Sequence, residues 1–161
     1  MLPQIDKNIE LLWPLFPVGM LVILIASLWL FTLILRLKSV IEGRVKYSDI
    51  TLVNLDAMPK RVALLSRSHD NQYQQPLLFI LLMLFIMQFQ LQGVAWYLSS
   101  ALFVTARYWH AFEHVRGNNL LRRTCAFIIA SCTLWGMWCA LFVTLLFQID
   151  LTFLTLPSAF S

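Results

Sequence analysis

The sequence predicts an all-α integral membrane protein, a four-helix bundle that forms a single domain over residues 1–161. Of its 161 residues, 60% are hydrophobic and 12% are charged, and the mean hydropathy is +0.74. Soluble domains carry about 25% charged residues. So few polar side chains cannot cover a soluble core, and the remaining apolar surface must therefore face lipid. Four apolar segments and a one-sided distribution of basic residues lead to the same fold class.

The first apolar segment is long enough to cross a bilayer with some tilt, because a transmembrane helix needs about 20 residues. Its apolar core is too long for a signal peptide, and no small-residue cleavage pattern follows it. The polar stretch 38–60 behind it is predicted as a loop or a short surface helix. The four predicted spans are 11–37, 61–89, 94–114 and 120–147.

The second span contains a polar stretch, because its uninterrupted apolar run, 77–87, is too short to cross alone. The helix must therefore include "RSHDNQYQQP", whose polar side chains have to face the bundle or a wet cavity. On a continuous helix Arg67, Asn71 and Gln74 share one face at spacing i, i+4, i+7. Pro76 removes a backbone donor and is predicted to bend the helix.

The third span ends in a second polar stripe, within "RYWHAFEH", where Arg107, His110 and His114 have spacing i, i+3, i+7. The link "QFQLQG" is short, so the second and third spans are predicted to be antiparallel neighbours with their polar stripes at the same depth. Arg36 and Arg123 lie on the same side. This convergence of cations and amides favours a pocket for an anionic ligand.

Two other interpretations of these residues stay open. The arginines are also explained as interfacial side chains whose stems lie along apolar surface. The order H-x-x-E-H, formed by His110, Glu113 and His114, is also found in zinc peptidases. The cation of Arg107 one turn earlier disfavours a divalent metal, and Glu113 is explained as an i, i+3 partner of Arg116.

The basic residues predict the orientation of the chain. Seven of the twelve Lys and Arg residues lie within 36–67 and four more lie within 107–123, whereas "QFQLQG" has none. Because basic connections stay cytoplasmic, both termini are predicted to lie outside the cytoplasm. Plain spans without an extramembrane domain favour a bacterial inner-membrane protein. The predicted partner is the lipid bilayer, and no motif indicates nucleic-acid binding.

Three motifs, "RSHDNQYQQP", "RYWHAFEH" and "LRRTCAF", together resemble the MAPEG family, the membrane-associated proteins in eicosanoid and glutathione metabolism. The spacing between them is similar to that of the prostaglandin E synthase-like branch. The resemblance implies a homotrimer that binds glutathione as a cosubstrate between subunits, near the cytoplasmic side. It also implies transferase or peroxidase activity on a small lipophilic electrophile.

Position by position, the resemblance implies that Arg123 stabilises the glutathione thiolate, which a nearby guanidinium favours. Gln74 replaces the family's glutamate, so the carboxylate that would meet the glutathione ammonium is missing, and His114 replaces a tyrosine. Gln74 also favours an alternative, a non-catalytic relative that binds lipid or acts as a scaffold. The residues that the resemblance places around glutathione are Arg36, Arg67, Asn71, Gln74, Arg107, His110 and His114.

Overall fold

The computed structural model of the protein describes residues 12–46, 48, 58–116 and 119–147, and all regular secondary structure in these ranges is helical. The predicted all-α class is therefore confirmed for this part of the chain, while the predicted position of both termini falls on residues outside it. The helices are α1 (Leu15–Ile41), α2 (Lys60–Asp70), α3 (Gln75–Gln88), α4 (Val94–Arg116) and α5 (Leu120–Phe147), with a 3-10 turn (Asn71–Tyr73) between α2 and α3.

Two of the described helices, α1 and α5, are long and apolar enough to cross a membrane by length and composition alone. Large apolar side chains cover the outside of the molecule. Phe16 is 75% exposed and Ile41 is 85% exposed. Exposed apolar surface on this scale marks a face that water does not cover, as expected of a protein whose helices contact lipid.

The core lies where α3 packs against α4. The rings of Phe79 and Phe103 stack with centroids 4.3 Å apart, and both side chains are fully buried. One turn further along, the Ser100 hydroxyl contacts the Met83 sulfur at 3.7 Å. Because residue numbers rise along α4 as they fall along α3, the two helices are antiparallel, as the short link between them predicts.

The remaining helices pack around this pair. α5 returns antiparallel to α4, with Ala126 and Ala130 fully buried, and such small residues let helices approach closely. α1 runs parallel to α4. The ring of Trp13 meets Tyr97 near the start of both helices, with centroids 4.4 Å apart. The Tyr108 hydroxyl donates to the Met20 carbonyl oxygen at 2.7 Å and ties α4 to α1.

The second predicted span, 61–89, is not one continuous helix, so the helical spacing assumed for its polar residues does not hold across the break. α2 ends at Asp70, the 3-10 turn follows, and Gln74 has non-helical angles (φ −94°, ψ −88°). Pro76 explains the break, because its ring would clash with the Gln72 carbonyl in a continuous α-helix. The bend predicted at Pro76 is confirmed, as a complete interruption of the helix before this residue.

Candidate functional site

Arg107 occupies the centre of the site and is fully buried although it is permanently charged. Its guanidinium donates to three oxygens of the interrupted segment. Nη2 lies 2.8 Å from the Asn71 carbonyl oxygen and 2.9 Å from Gln72 Oε1, and Nη1 lies 3.4 Å from Gln75 Oε1. The break between α2 and α3 thus supplies the acceptors, because a helical Asn71 carbonyl would already be used within its own helix.

All three acceptors of Arg107 are neutral. Among the described residues, no carboxylate lies within ion-pair distance of its guanidinium. Burying a charge is costly unless it is paired and hydrogen-bonded. Amide oxygens meet the hydrogen-bonding requirement but leave the positive charge uncompensated. The interior of this end of the bundle therefore has a net positive charge that favours an anionic group nearby.

Gln75 extends the contacts of Arg107 to the last helix. Its Oε1 accepts from Arg107, and its Nε2 donates to Ser131 Oγ at 2.5 Å. The Ser131 hydroxyl in turn donates to the Phe127 carbonyl oxygen, 2.8 Å away within α5. One chain of hydrogen bonds thus links α4, the start of α3 and α5, and it holds three helices in register beside the site.

The two histidines of α4 are buried next to Arg107, each with 4% of its surface exposed. His110 Nδ1 lies 3.2 Å from the Arg123 carbonyl oxygen. Since a carbonyl only accepts, Nδ1 carries the hydrogen, and Nε2 of the neutral ring is an acceptor. That buried Nε2 has no hydrogen-bond partner among the described residues, and neither has His114 Nδ1. Both atoms are buried polar groups whose hydrogen-bonding capacity the described residues leave unused.

Further arginines approach these histidines. Arg67 and Arg123 both lie within electrostatic range of His114, and Arg107 and Arg123 within that of His110. Five basic side chains from α2, α4 and α5 therefore surround one region. We name it the basic cluster, and it consists of Arg67, Arg107, His110, His114 and Arg123.

The other predicted residues lie around the basic cluster. Arg36 Nη2 donates to Ser66 Oγ at 2.9 Å, so this arginine joins α1 to α2. Asn71 contributes its backbone carbonyl to Arg107, and its side chain is half-buried. Gln74 is exposed, as is Arg67 within the cluster, so both lie on the outer surface of the single chain.

Sequence reasoning missed Gln72, Gln75 and Ser131. The prediction assumed a continuous helix, which places Asn71 and Gln74 inward and their neighbours elsewhere. The 3-10 turn has about three residues per turn instead of 3.6, which rotates the following side chains. The sequence did contain a signal that could have identified Gln72 and Gln75. Pro76 marks the point where the spacing of a continuous helix no longer applies.

The partner predicted for Glu113 was wrong. Its carboxylate pairs with Arg122 of α5 at 3.7 Å and accepts from Trp109 Nε1 at 3.4 Å. Arg116 lies instead over the Phe112 ring, 5.3 Å from the centroid. α5 begins at Leu120 and lies beside Glu113, which spacing within one helix does not reveal. The zinc interpretation gains no support, since no group of three potential ligands forms within the described ranges.

Fold and site together define a helical membrane protein with a basic site between its helices. A sequence profile of the MAPEG family matches residues 14–143, and the chain belongs to that family. The family-level resemblance of the three motifs is thereby confirmed. Neither the comparison with curated proteins nor the comparison with solved structures found a match.

Proposed function

We propose that the protein is a glutathione-dependent transferase or peroxidase that acts on small lipophilic electrophiles. Members of the MAPEG family commonly use glutathione, and the chain belongs to that family. The observation that carries the proposal is the basic cluster, in which a fully buried Arg107 without a described counter-ion lies beside two buried histidines.

The chemistry of glutathione matches this set of side chains. Its two carboxylates and its thiolate are anionic, and guanidinium groups bind such groups through charge-assisted hydrogen bonds. Arg67, which is exposed, is placed to take a carboxylate from outside. Arg123, next to both histidines, favours the thiolate over the thiol, because a nearby cation stabilises the charged form.

The protein residues hold and orient the reacting groups. His110 Nε2 accepts a hydrogen bond from the bound tripeptide, and Arg123 lowers the fraction of protonated thiol. In a transfer reaction the sulfur bonds to the electrophilic carbon, and the displaced electron pair leaves with the leaving group. In a peroxidase reaction two glutathione molecules supply two electrons, the O–O bond breaks, and an alcohol, water and the disulfide form.

The assembly and membrane placement belong to the same proposal. Arg67 and Gln74 are exposed on the single chain, so a neighbouring copy in a homotrimer would complete the outer wall of the site. Four spans would carry the basic cluster to the cytoplasmic side of a bacterial inner membrane. Within the family, the motif spacing supports a position near the prostaglandin E synthase-like branch.

A second candidate is a non-catalytic relative that binds lipid or acts as a membrane scaffold. Gln74 favours it, because an amide cannot neutralise the ammonium group of glutathione. Among the described residues the nearby acid Glu113 is already paired with Arg122, so it does not take over that role.

Titration calorimetry of glutathione with detergent-purified protein separates the two candidates. In the calorimeter we expect binding by the wild type and loss of binding in Arg67→Ala. In a parallel ultraviolet spectrum we expect the thiolate absorbance to be lost in Arg123→Ala. Lys38→Ala is the matched control, since Lys38 is exposed and lies 3.9 Å from Glu42 at the end of α1. Absence of binding at millimolar glutathione would refute the enzyme proposal and favour the lipid-binding relative.

A further inference from the structure

A cavity lies between α1, α2 and α4, on the face of α4 that points away from the basic cluster. Its volume is about 510 Å³, within the range of about 300–1,000 Å³ for small-molecule sites. We name it the α1–α2–α4 cleft. Four tightly packed side chains form its floor, namely Leu24, Leu28, Leu65 and Ala111.

The cleft has the dimensions of one membrane leaflet. Along α1 its lining runs from Leu24 to Leu35, and a rise of 1.5 Å per residue makes this stretch about 16 Å long. The hydrocarbon core of a bilayer is about 30 Å thick, so half of it is about 15 Å. The rim residues Phe31 and Phe112 are 58% and 53% exposed, so the cleft opens sideways towards lipid.

Positive charge gathers at one end of the cleft. Arg61 is the only charged residue among its described lining. The next residue, Val62, packs with Leu35, which puts Arg61 at the Leu35 end. Arg116 lies over the ring of Phe112, which itself lines the cleft. An apolar cleft of leaflet length with two guanidinium groups at one end is complementary to an anionic amphiphile.

We propose that the α1–α2–α4 cleft binds one acyl chain of an anionic phospholipid, with the lipid phosphate held by Arg61 and Arg116. Charge complementarity favours this occupant over a second copy of the chain. Arg61 and Arg116 bring two cations to this cleft, which a phosphate neutralises and an apolar helix of a second copy would not. A phosphate is attracted there instead, since basic side chains near a membrane surface favour anionic lipids.

The cleft is independent of the proposed glutathione site. Tyr108, Ala111 and Val115 line it from α4, whereas Arg107 and His110 of the same helix face the interior beside α3 and α5. A variant at Arg61 should therefore leave glutathione calorimetry unchanged. Failure of the lipid proposal and failure of the glutathione proposal are thus distinguishable.

Native mass spectrometry of the detergent-purified protein tests the proposal, with phosphatidylglycerol and phosphatidylcholine of identical chains as probes. We expect phosphatidylglycerol to bind more tightly. A single basic side chain near the surface contributes about a fivefold preference for anionic lipid. Arg61→Gln and Arg116→Gln should each remove a factor of that size without changing phosphatidylcholine binding.

Two further variants keep the test decisive. Lys38→Gln removes one exposed charge from the end of α1 but does not line the cleft, so its lipid preference should equal that of the wild type. Ser27→Phe fills the cleft and should weaken both lipids, with circular dichroism confirming the helix content. The proposal would be overturned if Arg61→Gln and Lys38→Gln lost the preference for phosphatidylglycerol to the same extent. Displacement of lipid by a second protein chain would also overturn it.

Discussion

The Arg107 guanidinium in α4 holds the backbone of Asn71 at the break between α2 and α3, with Nη2 2.8 Å from the carbonyl oxygen. A side chain of one helix thus replaces the intrahelical hydrogen bond that the neighbouring helix has lost. Because Asn71 and Arg67 belong to the same interrupted segment, Arg107 positions the residues to which we assign glutathione binding.

Replacing Arg107 by methionine should therefore loosen this segment. The substitution leaves three buried oxygens without their donor, and each such group costs about 1–3 kcal/mol. Because the substitution also removes the cost of burying the charge, we expect Arg107→Met to lower the free energy of unfolding by only about 1–3 kcal/mol, and to weaken glutathione binding. Thermal unfolding in detergent measures the first effect and calorimetry the second.

Arg122→Met is the matched control for that experiment, because the Arg122 side chain is 66% exposed and its ion pair with Glu113 is peripheral. Exposed ion pairs contribute about 0–1 kcal/mol. Equal stability losses in Arg107→Met and Arg122→Met would contradict the positioning role of Arg107.

The hydrogen bond between Gln75 and Ser131 is expected to hold α5 against α3. Ser131→Ala removes the acceptor of the Gln75 amide and should cost about 0.6–1 kcal/mol, the usual range for interhelical bonds in membranes. Thr133→Ala is the control, since the Thr133 hydroxyl donates only to Ile129 within its own helix. Chemical denaturation of both variants in mixed micelles measures their free energies of unfolding. A larger loss of stability in Thr133→Ala would contradict the stabilising role of the Gln75–Ser131 hydrogen bond.

A pair of leucines separates internal packing from lipid contact. Leu82 is fully buried and Leu98 is 65% exposed. Lipid is as apolar as leucine, so the difference must come from van der Waals contacts inside the bundle. We expect Leu82→Ala to lower the thermal midpoint clearly, with a cost of up to about 2–5 kcal/mol. Leu98→Ala should keep the thermal midpoint of the wild type. If its midpoint fell as far as that of Leu82→Ala, the face of Leu98 would be packed against another chain.

Gln74 offers a gain-of-function test. Gln74→Glu restores a carboxylate for the glutathione ammonium and should raise the affinity about fivefold, the equivalent of about 1 kcal/mol for an exposed pair. Gln88→Glu, an exposed substitution at the far end of α3, should leave the affinity unchanged. Calorimetric titration of both variants checks this, and an unchanged affinity in Gln74→Glu would count against the assigned position of the ammonium.

The sequence was sufficient for the helices and insufficient for the contacts at the break. The thickness of the bilayer sets the length of an apolar segment that crosses it. The positions of the helices could therefore be predicted from where apolar residues lie in the sequence. Which side chains near Pro76 face α4 depends on how α2 and α3 pack on that helix. No local sequence pattern carries this information. Asn71 and Gln74 were therefore predicted to face inward together, whereas Gln72 and Gln75 supply the side-chain acceptors for Arg107.

Glu113 illustrates the same limit. A helical spacing of three residues made Arg116 the expected partner, but Arg122 of the antiparallel helix α5 pairs with Glu113 instead. Contacts within one helix follow from sequence spacing, whereas contacts across a turn depend on the path of residues between two helices. Membership of the basic cluster was easier to predict, because Arg107, His110 and His114 share one face of an unbroken helix.

The buried Arg107 also has a consequence for how the chain enters a bilayer. Only α1 and α5, among the described helices, are apolar enough to insert on hydropathy alone, and an arginine at the centre of a single helix costs about 2.5–3.5 kcal/mol on insertion. In the proposed four-span topology, the acceptors for that arginine are Gln72 and Gln75, which belong to the preceding span of the helical hairpin. The two middle spans should therefore partition into lipid as one hairpin, so that the cation reaches the hydrocarbon already hydrogen-bonded.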